Sequence, residues 1–237
     1  MIKSIFDPSQ DTPFNSHLAQ QMYGVATEEA LRKKIYGTRS AITPEEIEAL
    51  KTLLLEFNKP VYVEVGVYFG GTFATILDFL KDNKKEFHAY GLDLFEDLKN
   101  ETFGSGQTHE LVNKWNILNV AYQDDLALTL QEMGHENFIL LKGSSDKMVE
   151  KIDKKIDVCL IDGNHTYSQV KLDFEAVMKQ SHPGSAIVLD NSTNDIEPDP
   201  QYVALDGGPW KLCEELKIDP RVSFIRKIHR CSIFKVL

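Results

Sequence analysis

Three oxygen-bearing side chains stand where two apolar runs end: Asp162 follows Cys159-Leu160-Ile161, and Asp190-Asn191 follow Ala186 to Leu189. Two carboxylates and an amide oxygen, completed by water and substrate oxygens, suit octahedral Mg²⁺ better than Zn²⁺, which favours nitrogen and sulfur ligands. The competing reading is that both aspartates cap helices or turns while Asn191 stabilises its own loop. Recurrence of oxygen ligands at adjacent strand ends favours the metal. His165 comes three residues after Asp162. An imidazole titrating near pH ~6.5 can remove a hydroxyl proton, above all from a hydroxyl acidified by Mg²⁺. It can equally cap the helix that starts at Tyr167 or bond a carboxylate.

A second group surrounds the run Val61-Tyr62-Val63-Glu64-Val65-Gly66-Val67-Tyr68-Phe69-Gly70-Gly71-Thr72. Here an apolar strand enters a glycine turn and then a helix, so backbone can approach a ligand and the helix N-terminus supplies N–H groups. The Gly66-x-x-x-Gly70 spacing differs from G-x-G-x-x-G, and no Gly-Lys-Ser/Thr follows, which argues against a dinucleotide fingerprint and a phosphate loop. Asp93 ends the next apolar run, where a carboxylate can accept both hydroxyl hydrogens of a ribose. Glu64, just before the first glycine, can orient the turn or a ligand ammonium.

The positioning elements alternate. Strands are expected at Val61 to Val65, Phe87 to Leu92, Phe138 to Leu141, Ile156 to Ile161 and Ser185 to Leu189. Helices are expected from about Thr72 to Leu80, up to Met133, at Tyr167 to Gln180 and at Trp210 to Leu216. Val222 to Ile225 and Cys231 to Val236, joined by the basic stretch Arg226 to Arg230, read as a closing antiparallel hairpin. This pattern predicts an α/β, Rossmann-like, seven-stranded and mostly parallel sheet flanked by helices. Upstream, Thr43-Pro44-Glu45-Glu46 carries a capping box with proline at N1, and Ile47, Leu50, Leu54 and Phe57 share one face. A weaker helix after Thr27 bears Glu28, Glu29, Leu31 and Ile35. Residues 1–59 are therefore read as an N-terminal arm and helical cap, and 60–237 as the main domain.

The 237 residues carry 26 Lys plus Arg against 36 Asp plus Glu, a net charge of -10 that disfavours nucleic acid and anionic membranes as partners. The cysteines Cys159, Cys213 and Cys231 form no C-x-x-C pair, and their odd number favours buried thiols in a reducing compartment. With no signal-like start and no apolar run near the roughly 18 residues of a membrane span, a cytoplasmic location is expected. Gly-x-Ser-x-Gly is absent, which argues against a serine hydrolase.

On these residues the chain resembles class I S-adenosylmethionine-dependent methyltransferases, over about 60–237. Glu64-Val65-Gly66 to Gly71 is similar to the first motif and Asp93 to its ribose acid. Gly143-Ser144-Ser145-Asp146 resembles the segment that contacts adenine. The stretch Cys159 to Tyr167 resembles the small-molecule O-methyltransferases acting on macrolide and aminocoumarin sugars, which are related to the catechol type. The resemblance implies S-adenosylmethionine held by Glu64, Gly66, Tyr68, Gly70, Gly71, Thr72, Asp93, Ser144, Ser145, Asp146 and Asp162. It further implies Mg²⁺ on Asp162, Asp190 and Asn191, with Asp162 and His165 acting on a hydroxylated small molecule. His165 stands where the catechol type has its lysine base; Asn164 departs from the aspartate of the sugar enzymes and cannot serve as a base. The helical cap, the Phe95 to Lys114 segment and the acidic loop Ser192 to Pro209 are expected to contribute to acceptor recognition; His109 and Trp115 are candidate contacts whose structural reading is the stronger one. Metal-independent O- or N-methyl transfer and a noncatalytic nucleoside-binding protein stay open as alternatives. So does a homodimer through the N-terminal helices, which no heptad establishes.

Overall fold

The computed structural model describes residues 42–68, 70–95, 122–192 and 207–237. The arm and the helix expected after Thr27, most of the 95–114 segment with His109 and Trp115, and Asp195, Glu197, Asp199 and Asp206 lie outside the described residues.

Helix α1 (Pro44–Leu55) opens on a complete capping box: the Thr43 side chain accepts from the Glu46 N–H, and Thr43 N donates to Glu46 Oε2 at 2.7 Å. Its apolar stripe, with Leu50 and Leu54 fully buried, packs into the sheet's core rather than standing apart from it. Truncating either leucine to alanine would cost about 2–5 kcal/mol on the scale of buried large-to-small changes. The alternation continues through β1 (Val61–Val65), α2 (Gly71–Asp82), β2 (His88–Asp93), α3 (Tyr122–Glu132), β3 (Phe138–Lys142), the short α4 (Ser145–Val149), β4 (Ile156–Ile161) and α5 (Tyr167–Gln180). It closes with β5 (Ser181–Leu189), α6 (Gly208–Leu216), β6 (Val222–Ile228) and β7 (Cys231–Val236).

The seven strands form one sheet in the order β3-β2-β1-β4-β5-β7-β6. The first five in that order pair in parallel, and β7 joins β5 and β6 antiparallel. Period-two alternation in β1 sends Tyr62 to one apolar cluster and Val61, Val63 and Val65 to the other, so both faces of this central strand are buried. Because the chain leaves β1 toward β2 and β3, then returns to its other side for β4 and β5, the crossovers diverge between β1 and β4. In open parallel sheets such a switch point, at the carboxyl ends of the strands, is where ligands bind.

Two local expectations shift. The basic stretch 226–230 is not all connection: β6 continues to Ile228, and the turn is His229-Arg230, with His229 at φ 49°. An edge strand tolerates Arg226 and Lys227 because one of its sides meets water. Strand β5 begins at Ser181, with a register shift against β4 between the partners of Ile156 and Val158, where the Pro183-Gly184 segment is taken up.

Candidate methyl-transfer site

The turn after β1 is fixed by close backbone approach. Gly66, at φ +86°, donates to the Leu92 carbonyl at 2.8 Å, and a Cβ built on it would lie 2.1 Å from the Asp162 carbonyl oxygen. No side chain fits there. Gly70, at φ +76°, is the N-cap of α2 and brings no side-chain cap, so the helix presents its positive N-terminal end as backbone. Gly71 and Thr72 are buried in that first turn.

Asp93 stands at the carboxyl end of β2. Its Oδ2 accepts from Tyr68 N at 2.9 Å and its Oδ1 from Phe95 N at 3.0 Å, so the carboxylate holds both flanking turns. Burial raises its pKa more than these backbone N–H groups lower it. The backbone N–H groups of Val67 and Leu94 act on the same carboxylate. The Gly143 amide donates to the Asp93 carbonyl at 3.0 Å, setting 143–146 beside it. Within that segment the serines diverge. Ser144 donates to Asp146, whereas the Ser145 hydroxyl is committed at 2.6 Å to Asp173 on α5, which also accepts from Gln169.

Glu64 is buried beneath the glycine turn and accepts from the Tyr62 hydroxyl at 2.6 Å, an anchor for the turn. Burial pushes its pKa well above the usual carboxylate range, more than the Tyr62 bond lowers it. With the folded value raised, its stabilising share is present below the unfolded glutamate pKa of about 4.3 and is lost as pH rises through the folded value. Glu64→Gln, neutral at every pH, is therefore expected to flatten the loss of Tm between mildly acidic and alkaline pH, a difference visible in thermal melts of the two proteins across that range.

At the ends of β4 and β5 a second cluster assembles from the residues the sequence places there. His165 Nε2 lies 3.2 Å from Asp162 Oδ1, and Asn191 Nδ2 lies 3.4 Å from His165 Nδ1. Asp162, His165 and Asp190 bring potential ligand atoms within 4.8 Å of one another. Asp190 is buried, and its pKa rises to about 7, first through burial and then through the Asp162 charge and hydrogen bond. For His165, burial works downward, but the Asp162 hydrogen bond with the Asp162 and Asp190 charges raises the pKa overall. Two crowded carboxylates, one of which gains proton affinity from the other, fit a hard divalent cation that would offset their repulsion.

Sequence reasoning missed what lies behind Asp190. The Cys231 thiol donates to Asp190 Oδ1 at 3.3 Å, and burial with the Asp190 charge pushes that thiol's pKa upward, keeping the proton on sulfur. The signal was the antiparallel β5–β7 register: Leu189 faces Ser232, so the next residues along, Asp190 and Cys231, meet. Glu46 was legible only as a cap, yet its Oε1 also accepts from Arg230 N at 2.8 Å, and a carboxylate oxygen lies within 4.8 Å of Asp190 and of the Cys231 sulfur.

Residues 63–192 match the methyltransferase-domain family Methyltransf_24. No curated protein matches in sequence. Among solved structures, the O-methyltransferase TomG from Streptomyces achromogenes, in complex with S-adenosylmethionine, is 14% identical with a TM-score of 0.59, covering 93% of this chain and 95% of that one. Cofactor-bound Rv0187 from MTB is 13% identical with a TM-score of 0.60, over 96% of this chain and 98% of that one. MycE of mycinamycin biosynthesis, in complex with Mg, S-adenosylhomocysteine and mycinamycin VI, is 16% identical with a TM-score of 0.51, over 88% of this chain and 53% of that one. At these identities the structures speak for the fold, while the family match spans more than half of the sequence. Taken with the glycine turn, Asp93 and the strand order, that match makes the chain a member of the methyltransferase-domain family, a class I S-adenosylmethionine-dependent methyltransferase.

Proposed function

We propose that the protein methylates a hydroxyl oxygen of a small molecule, assisted by a divalent cation, Mg²⁺ by the chemistry of the donor set. The observation that carries this reading is the convergence of Asp162, His165, Asp190 and Asn191 at the ends of β4 and β5, beside the Gly66 turn. S-adenosylmethionine, when bound, supplies an electrophilic methyl group on its sulfonium, and Mg²⁺ supplies Lewis acidity to the acceptor oxygen. Gly66, Gly70, Gly71 and Thr72 present backbone to the cofactor, while Tyr68 and Glu64 hold the turn. Asp93 binds the ribose hydroxyls, and Ser144 and Asp146 take the adenine side. Ser145 acts there through its bond to Asp173, fixing α4 against α5. Asp162, Asp190 and Asn191 hold the cation. His165 takes the acceptor's proton, and Asp162, 3.2 Å from Nε2, orients the ring and stabilises the imidazolium. Burial of Asp190 and the apolar strand ends excludes water that would compete for the methyl group.

A small hydroxylated acceptor agrees with the net charge of -10, which opposes nucleic acid. No helix among the described residues is long and apolar enough to cross a membrane. The test is calorimetric titration of metal-stripped protein with S-adenosylhomocysteine, repeated with Mg²⁺ and with Asp190→Ala, followed by a screen of hydroxylated acceptors. Cofactor binding, with a Mg²⁺ heat that Asp190→Ala loses, is the expected result. Turnover unchanged by metal removal would instead favour metal-independent transfer. Cofactor binding without transfer to any acceptor would favour a binding protein.

A further inference from the structure

Asp190 and Asn191 sit on a two-residue turn, with Asn191 at φ 49°, a left-handed conformation that asparagine tolerates better than most residues, and surrounding groups fix the turn in place. Those surroundings come from the far end of the chain and from α1. Ser192 donates its N–H to the Arg230 carbonyl at 2.9 Å, and its hydroxyl, 3.2 Å from that oxygen, lies closer to the Leu189 carbonyl, at 2.9 Å. Arg230 in turn donates its N–H to Glu46 Oε1 at 2.8 Å. The other Glu46 oxygen is engaged by Thr43, through N at 2.7 Å and Oγ1 at 2.9 Å, so the carboxylate has no freedom to rotate. Beside this strap, Cys231 directs its thiol at Asp190 Oδ1, 3.3 Å away, with both side chains buried.

We infer that Cys231 and Glu46 are positioning residues for the cation site: the Glu46–Arg230–Ser192 strap sets the 190–192 turn, and the Cys231 S–H fixes one oxygen of Asp190 so that the other is turned toward Asp162. This rests on the cation reading above and adds to it. A carboxylate free to rotate must be ordered again each time it takes up a cation; one held by a donor is already ordered. Cys231 thus acts through a hydrogen bond rather than through redox or nucleophilic chemistry, and Glu46, with a carboxylate oxygen within 4.8 Å of both Asp190 and the Cys231 sulfur, acts through its bond to Arg230.

The experiment is calorimetric titration of metal-stripped wild type, Cys231→Val and Cys231→Ser with Mg²⁺, with S-adenosylhomocysteine affinity and Tm measured on each. Cys231→Val removes the donor while adding roughly one methyl group of volume; Cys231→Ser keeps a donor. The expected result is Mg²⁺ affinity about tenfold weaker in Cys231→Val, as for other partners of metal ligands. Cys231→Ser should restore it to within about twofold, with cofactor affinity little changed in both, while Tm falls in Cys231→Val from the unpartnered Asp190 oxygen and the added volume. Glu46→Ala should also weaken Mg²⁺. Thr43→Ala, which leaves Glu46 bonded to the Arg230 amide, should lower Tm alone, by the loss of a cap. Wild-type affinity in Cys231→Val overturns the assignment, as does a loss that Cys231→Ser fails to restore or that cofactor affinity shares. A wild-type protein that takes up no Mg²⁺ overturns the cation reading itself, and the assignment with it.

Discussion

Gly66→Ala is expected to abolish S-adenosylhomocysteine binding and to destabilise the fold by about 4 kcal/mol. Two costs add: a left-handed backbone for a residue with a Cβ, and overpacking against backbone that cannot move aside. The new methyl carbon would sit 2.1 Å from the Asp162 carbonyl oxygen and 2.7 Å from the Gly163 Cα, so the β1 turn and the β4 end must separate. Both the proposed cofactor site and the start of the proposed cation site lie on that seam. Gly70→Ala offers an internal comparison, because its Cβ would meet the Leu126 side chain at 2.5 Å, the end of a side chain that can shift. Chemical denaturation with cofactor titration on the two variants should rank Gly66→Ala as the more damaging. Equal affinity in wild type and Gly66→Ala would refute the role given to this turn.

Asp162→Ala is expected to lower kcat/KM by about 10³-fold or more on whichever acceptor the wild type methylates, since the carboxylate has two separable duties. It is one of the oxygens proposed for the cation, and it is the partner 3.2 Å from His165 Nε2. His165→Gln removes only proton transfer, worth about 10²–10⁴-fold, and should leave Mg²⁺ affinity nearly intact. The discriminating measurement is kcat and KM beside Mg²⁺ affinity: Asp162→Ala should lose both, His165→Gln mainly kcat. A His165→Gln enzyme with wild-type kcat would show that another group takes the proton. In the free protein, removing Asp162 should also lower the Asp190 pKa from about 7, because its charge and hydrogen bond to Asp190 are part of what raises it. Titration of Asp190 followed by NMR would register that downward shift.

Much of the fold was legible in the sequence where local chemistry decides. The Thr43-Pro44-Glu45-Glu46 cap, the strand Ile156–Ile161 and the helix Tyr167–Gln180 stand at the bounds that periodicity and capping predict. The order of strand ends also placed Asp162, Asp190 and Asn191 at one edge, because parallel strands in such a sheet bring all their carboxyl ends to the same side. What the sequence could not contain was set by pairing between distant segments. A glycine at position 66 suggests a turn, but only packing against Asp162 makes it indispensable. Ser145 has the type and place of a ligand contact, yet its hydroxyl is claimed by Asp173, a residue of another helix. Glu46 reads as a cap from its spacing alone, and its second bond, to Arg230, exists because the closing hairpin returns to α1. Cys231 becomes a neighbour of Asp190 only through the antiparallel register of β5 and β7. Sequence by itself determined the residue types, their strand ends and the periodic elements, since those follow from interactions a few residues apart. Tertiary structure decided which carboxylates share protons and which donors hold them, because burial and distance between remote residues come into being only when the sheet closes.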